Sequence, residues 1–247
     1  MCLALAPSLS ADMLLLTRHF ALLLGLLLMI VTATSQAGRA EDAASRVLPA
    51  LERDAKALNL RVGAPVFIRI FKQDAVLELW LKGAQHYQLF RSYPICAFSG
   101  ALGPKTGEGD GQAPEGIYPI TLKQMNPASR FHLSFNLGYP NAYDQAHGYT
   151  GSALMVHGNC VSIGCYAMTD AKIEEIYTLM TRAFAAGQQS IPVHAFPFRL
   201  TQAALSAHSN QPFAEFWREL APIYQAFETH AVPPQVRVQA GHYRYAQ

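Results

Sequence analysis

The densest chemistry in this 247-residue chain lies from His157 to Asp170, where His-Gly-Asn-Cys-Val-Ser-Ile-Gly-Cys-Tyr-Ala-Met-Thr-Asp follows a short apolar run. A cysteine attacks carbonyl carbon as its thiolate. Because a free thiol has a pKa of about 8.5, a neighbouring imidazole is the usual means of generating that thiolate near neutral pH. Cys165 is therefore the candidate nucleophile and His157 the candidate general base. An extended chain would hold them about 26 Å apart at about 3.3 Å per residue, so the segment between them must reverse. Gly158 and Gly164 bracket the reversal and can take backbone conformations closed to other residues. Main-chain N–H groups at Gly164 and Cys165 would then face a carbonyl oxygen gaining negative charge. A helix beginning just beyond, at Thr169-Asp170, would favour thiolate and oxyanion alike.

Two plainer arrangements use the same residues. One is a buried thiol beside a satisfied core histidine, since free cysteine is among the most buried residue types. The other is a zinc site formed by His157, Cys160 and Cys165 with His194 as a distant fourth ligand, although this spacing matches no standard ligand pair. The remaining histidines, including His132 in an apolar stretch and His147 in a polar loop, do not stand out.

The elements that must position the pair follow from periodicity. Residues 41–60 carry apolar side chains at helical spacing and form a lead-in helix. Val66 to Phe71, Ala75 to Leu81 and Tyr87 to Ile95 are β-rich runs separated by polar or glycine turns, which predicts an antiparallel meander. The segment from Ser99 to Gly116 is rich in glycine and predicts a surface loop beside the site. Its spacing matches neither a P-loop nor a dinucleotide-binding fingerprint. Further strands are expected over residues 116–122 and 131–136, and a short one from Ala153 ends at His157. A helix follows from Asp170, capped by Thr169. Ile191 to Phe198, with its prolines, predicts an edge strand. Phe213 to Phe227 predicts a second amphipathic helix, and Val236 to Tyr245 a single terminal strand.

With 51% hydrophobic and 15% charged residues, the chain can bury one sizeable core. Its 19 basic and 17 acidic residues give a net charge of +2, without the basic, aromatic-interleaved stretch of a nucleic-acid groove. Arg18 and His19 precede an apolar run from Phe20 to Val31, and small residues lead to Ala37. Residues 1–37 therefore read as a secretory signal peptide or an uncleaved N-terminal anchor, and the remainder as exported, with membrane contact only through that segment if it is retained. Beyond the leader, Cys96, Cys160 and Cys165 leave an odd number of thiols in a compartment where disulfides persist. A Cys96–Cys160 bridge with Cys165 free is compatible with the catalytic reading.

His157-Gly158 followed by Ser162-x-Gly164-Cys165 resembles the catalytic signature of the L,D-transpeptidase (YkuD-type) family. Cys165-Tyr-Ala-Met-Thr-Asp170 resembles its YafK-like murein transpeptidase branch. Ala113-Pro-Glu-Gly-Ile-Tyr118 and Tyr139-Pro-Asn141 extend the likeness over roughly residues 65–200. The resemblance implies an α+β fold, with a mainly β catalytic domain of mixed sheets or a β-sandwich and flanking helices. Residues 38–64 would form the lead-in, 65–200 the catalytic domain, and 201–247 a C-terminal helical extension and terminal strand. It further implies a periplasmic acyl-transfer enzyme acting on peptidoglycan stem peptides. Cys165 would be nucleophile, His157 base, Gly164 with Cys165 the oxyanion donors, and Gly158 and Ser162 supporting residues. Neither metal nor organic cofactor is implied. Three departures stand out. Ile163 replaces the usual second histidine, Ala167 the usual arginine, and the His157–Cys165 interval is short. Hydrolysis that releases a wall-attached protein is the alternative within the same chemistry, and a non-catalytic peptidoglycan-binding module the alternative outside it.

Overall fold

The computed structural model describes residues 38–246. The leader expected over residues 1–37 lies outside the described residues. Residues 38–57 are helical (α1) and lead into β1 (Val66–Phe71), β2 (Val76–Lys82) and β3 (Tyr87–Pro94), the antiparallel meander. β4 (Gly116–Ile120), β5 (Met125–Asn126), β6 (Ser134–Asn136), α2 (Ala142–Ala146), β7 (Met155–His157) and β8 (Tyr166–Ala167) follow. Then come α3 (Asp170–Ala185), β9 (Ile191–Phe196), α4 (Gln202–Ala207), α5 (Ala214–His230) and the pair β10 (Gln235–Gln239) and β11 (His242–Ala246).

The larger sheet runs β3-β2-β1-β9-β4, with β1 and β9 parallel and its other pairs antiparallel. Every residue of β1 is buried, as a central strand covered on both faces requires. Alternate residues serve different cores. Val66, Ile68 and Ile70 join α1 and α3 over one face, while Phe67 and Phe71 pack against Phe227 and Tyr224 of α5 on the other. The smaller sheet, β5-β6-β7-β8, shares the first core through Phe135, Val156 and Tyr166. The architecture is the expected α+β fold of mixed sheets with flanking helices. Among the described residues, no helix is long and apolar enough to cross a membrane.

Several local expectations are corrected. β9 is internal, because Pro192, the one proline within it, occupies a position where the ladder needs no N–H. Ile117 turns its own N–H and carbonyl away from β9, toward the Tyr243 hydroxyl and the Asn141 amide. The Ile117–His194 pair is therefore non-hydrogen-bonded, and so is Pro119–Pro192, two residues along. On the other side, β1 pairs with β9 only from Val193 onward. The strand expected over 131–136 shrinks to β6. His132 is left-handed at φ +68°, and Phe131 and Leu133 direct their carbonyls at the Gly158 N–H instead of a strand partner. The single terminal strand is a hairpin, turned at Ala240 and Gly241 with φ of +50° and +77°.

Candidate active site

The small sheet sets the predicted pair on one face. β7 and β8 are parallel, with Val156 opposite Tyr166 and His157 opposite Ala167. This register puts Met155 opposite Cys165, and since side chains alternate, Cys165 and His157 project from one face as diagonal neighbours. The reversal between them uses Asn159 at φ +61° and Gly164 at φ +89°. Gly158 serves packing instead. A Cβ there would lie 2.6 Å from Asp170 Oδ1 and 2.8 Å from the Phe131 carbonyl oxygen.

His157 is buried at 2% exposure. Its Nδ1 lies 2.5 Å from the Gly158 carbonyl oxygen. A carbonyl only accepts, so Nδ1 carries the proton and Nε2 keeps its lone pair. Phe131 stacks on the ring at 4.7 Å between centroids. Burial pulls the imidazole below its ordinary range, and the Gly158 carbonyl only partly offsets this.

Among the described residues, Cys165 is the free thiol, and it is half-buried. At rest its Sγ accepts from the Met155 N–H at 3.4 Å and donates to the Ala153 carbonyl at 3.7 Å. Burial raises its pKa, against the lowering contact from Met155. The start of α3 does not bring the thiol down as expected. The first-turn carboxylate of Asp170 instead accepts from the Asn159 N–H at 2.7 Å. Burial thus pushes the thiol up and the imidazole down, each toward its uncharged form.

Ser162 donates to the Cys165 carbonyl at 2.6 Å, bracing the turn. Gly164 supplies the turn conformation, and its N–H is held by Ser99 Oγ at 2.6 Å. The residues of the zinc arrangement do not gather. Cys160 is disulfide-bonded to Cys96, and His194 is buried in the larger sheet against Phe67 and Phe196. Burial pushes His194 down to about 3, so it is neutral.

The loop from Ser99 to Gly116 lies against the nucleophile turn, as expected of it. It is pinned by a fully buried ion pair. Lys72 Nζ lies 3.1 Å from Glu115 Oε1 and donates to the carbonyls of Gly103 and Ala113. Glu115 also accepts from the Gly103 N–H and from Trp217 Nε1 of α5. Sequence reasoning missed Ser99 and Phe131 as residues of the site. Neither carries a local signal, since each reaches it only through strand pairing or the loop's return.

Residues 65–193 match the L,D-transpeptidase catalytic domain model, YkuD. The chain belongs to the YkuD L,D-transpeptidase family. Two Escherichia coli proteins, from strains K12 and O157:H7, both called YafK and provisionally named L,D-transpeptidases, are 48% identical over 182 residues, 74% of this chain and 74% of theirs. Among solved structures, a point mutant of the helical cell shape determining protein Pgp2 from Campylobacter jejuni gives a TM-score of 0.45 at 15% identity, covering 70% of this chain and 71% of its own. Bdellovibrio bacteriovorus Bd1075 gives 0.38 at 16% identity, covering 71% and 78%. The YkuD assignment makes the chain an enzyme of a peptidoglycan-acting family.

The departures from the family pattern have clear places in this YkuD domain. Ile163 is 87% exposed at the tip of the nucleophile turn, beside the exposed Val161. Ala167 is fully buried, pairing with His157 on one side and Ala97 on the other.

Proposed function

We propose that the protein is an exported, cysteine-dependent acyl-transfer enzyme acting on peptidoglycan stem peptides, with Cys165 as nucleophile and His157 as general base. The observation that carries this reading is the β7–β8 register. It sets a free thiol and an imidazole of fixed tautomer on one face of one sheet. Burial favours the uncharged form of each group, which supports general-base catalysis over a preformed ion pair. His157 Nε2 takes the thiol proton as sulfur attacks the carbonyl carbon of a diaminopimelate residue. The Cys165 N–H faces the oxygen that gains charge, while the Gly164 N–H, expected to share that role, stays bound to Ser99 Oγ. Collapse of the tetrahedral intermediate breaks the C–N bond, and the imidazolium returns its proton to the departing amine. An amine or water then attacks the thioester, His157 accepts the incoming proton, and the thiol is restored. No step calls on a metal or organic cofactor.

The Cys96–Cys160 disulfide supports export to the periplasm, since such bridges persist in oxidising compartments. Membrane contact would come only through residues 1–37, if that segment is retained. The loss of positive charge at Ala167 removes a bidentate partner for a substrate carboxylate, which favours keeping hydrolysis as a second reading. In that case water resolves the thioester and a wall-attached protein is released. Purified enzyme incubated with muropeptides and with protein-linked sacculi, its products identified by mass, separates the two. New cross-links mean transfer, and freed protein without new links means hydrolysis. A Cys165→Ala variant that folds normally and still gives either product would refute the nucleophile. A wild-type enzyme that binds sacculi but changes neither substrate would favour a binding module.

A further inference from the structure

The nucleophile turn is held from outside by a residue with no place in the family signature. Cys96 and Ala97 lie antiparallel to β8. The Cys96 and Ala97 N–H groups both donate to the Ala167 carbonyl, and Ala167 N–H donates back to Ala97. Continuing that register two residues puts Ser99 opposite Cys165, on the side away from Met155. The Ser99 hydroxyl has both of its roles filled. It accepts from the Gly164 N–H at 2.6 Å and donates to the Gly111 carbonyl at 2.6 Å. On the far side of the nucleophile, the Tyr166 hydroxyl donates to the Pro114 carbonyl at 2.7 Å. The loop therefore grips the residues immediately before and after Cys165.

The grip is rigid at its other end. The Ala113 N–H donates to the Ser99 carbonyl at 3.1 Å, and the Gln112 amide bonds the main chain of Ala101 and Gly103. Gly164 must lie close to this loop, since a Cβ on it would sit 3.4 Å from the Gln112 carbonyl oxygen and 3.1 Å from Leu154. With Gly164 at φ +89°, the peptide joining Ile163 to Gly164 has no helix or strand ladder to orient it. Its direction is set by where its N–H is bound.

We infer that Ser99 is a positioning residue for the acyl-transfer reaction, its hydroxyl fixing the peptide that enters Gly164 so that the Cys165 N–H addresses the developing oxyanion. The inference rests on the reading of Cys165 as nucleophile. Removing the hydroxyl frees the Gly164 N–H to swing and carries the adjoining Cys165 peptide with it. The consequence falls on the charged tetrahedral intermediate, not on substrate binding or on the thiol's acidity.

The test compares Ser99→Ala and Ser99→Thr with the wild type, using disaccharide-peptide muropeptides as substrate and iodoacetamide as a probe of the thiol. Alkylation develops no oxyanion, so it reports sulfur alone. Ser99→Ala is expected to lower kcat about 10-fold to 100-fold with KM changed less than about 3-fold, as misplacement of a transition-state donor does. Its alkylation rate and pH profile should match wild type. Ser99→Thr, which keeps the hydroxyl, should recover most of the loss. A kcat for Ser99→Ala close to wild type overturns the inference. So does an equal loss in both variants, or a kcat loss matched by altered alkylation, since each marks collapse of the turn. Full turnover by Cys165→Ala would instead sink the nucleophile reading itself, whichever way Ser99 behaves.

Discussion

Replacing Lys72 by Met should loosen the loop that packs on the nucleophile turn, and the size of the effect follows from its surroundings. The Lys72 and Glu115 side chains are both 0% exposed. Methionine keeps the length and apolar stem but removes the donors to Ala113 and Gly103 and the counter-charge to Glu115. The Gly103 carbonyl keeps the Gln112 amide at 2.7 Å, whereas the Ala113 carbonyl loses its side-chain donor. Glu115 keeps the Gly103 N–H and Trp217 Nε1. Breaking a buried pair by removing one partner costs about 3–5 kcal/mol. At about 2–4 °C per kcal/mol for a domain of this size, Tm should fall by roughly 6–20 °C.

Burial already pushes the Glu115 carboxyl up, and loss of the ammonium pushes it further. A carboxyl with a raised folded pKa binds its proton more tightly folded than unfolded. The deficit of the variant should therefore shrink as pH falls from neutrality toward the ordinary carboxylate range. The double variant Lys72→Met/Glu115→Gln removes both charges and should be more stable than the sum of the single losses by about 1–3 kcal/mol. Urea unfolding of the four proteins closes the cycle, and hydrogen exchange across residues 99–113 reports local opening. A loss below about 1 kcal/mol in Lys72→Met, or strict additivity in the cycle, would refute the claim that this pair pins the loop.

Iodoacetamide alkylation of Cys165 should follow an apparent pKa above the ordinary thiol value of about 8.5, and His157→Gln should abolish turnover while leaving Cys165 intact; an apparent pKa below about 7 would mean a preformed ion pair instead. Asp144 is pushed up to about 6 by burial, against bonds from Asn141 and Tyr118. Its folded form therefore holds a proton that the unfolded chain has released, and wild-type stability should fall as pH rises from about 4 through 6. Asp144→Asn should flatten that dependence by an amount not exceeding about 3 kcal/mol, at about 1.4 kcal/mol per unit. Thermal unfolding from acid to neutral pH checks it, and an unchanged slope would contradict the assignment.

Local chemistry was legible in the sequence wherever periodicity or a short motif carried it. The meander, the helices α3 and α5 and the strand ending at His157 follow from alternation and helical spacing, and the place of Gly164 in the turn from glycine, whereas Asn159 takes the place expected of Gly158. The YkuD signature named the family from a few residues. What the sequence misassigned were features decided by neighbours distant along the chain. Pro192, which marks an edge strand when read alone, is tolerated inside the sheet because it faces Pro119 in a non-hydrogen-bonded pair. The thiol is raised because burial outweighs the one N–H that approaches it.

By itself the sequence determined which groups could react: a thiol, an imidazole and a turn with the freedom to join them. Tertiary structure alone decided which contacts those groups make. The Gly158 carbonyl selects the imidazole tautomer, Cys160 bonds to Cys96 and leaves Cys165 free, and Ser99 meets Gly164 across 65 positions of chain. Residue type and spacing fix local conformational preference. Burial, register and hydrogen-bond partners arise only when distant segments exclude water from one another.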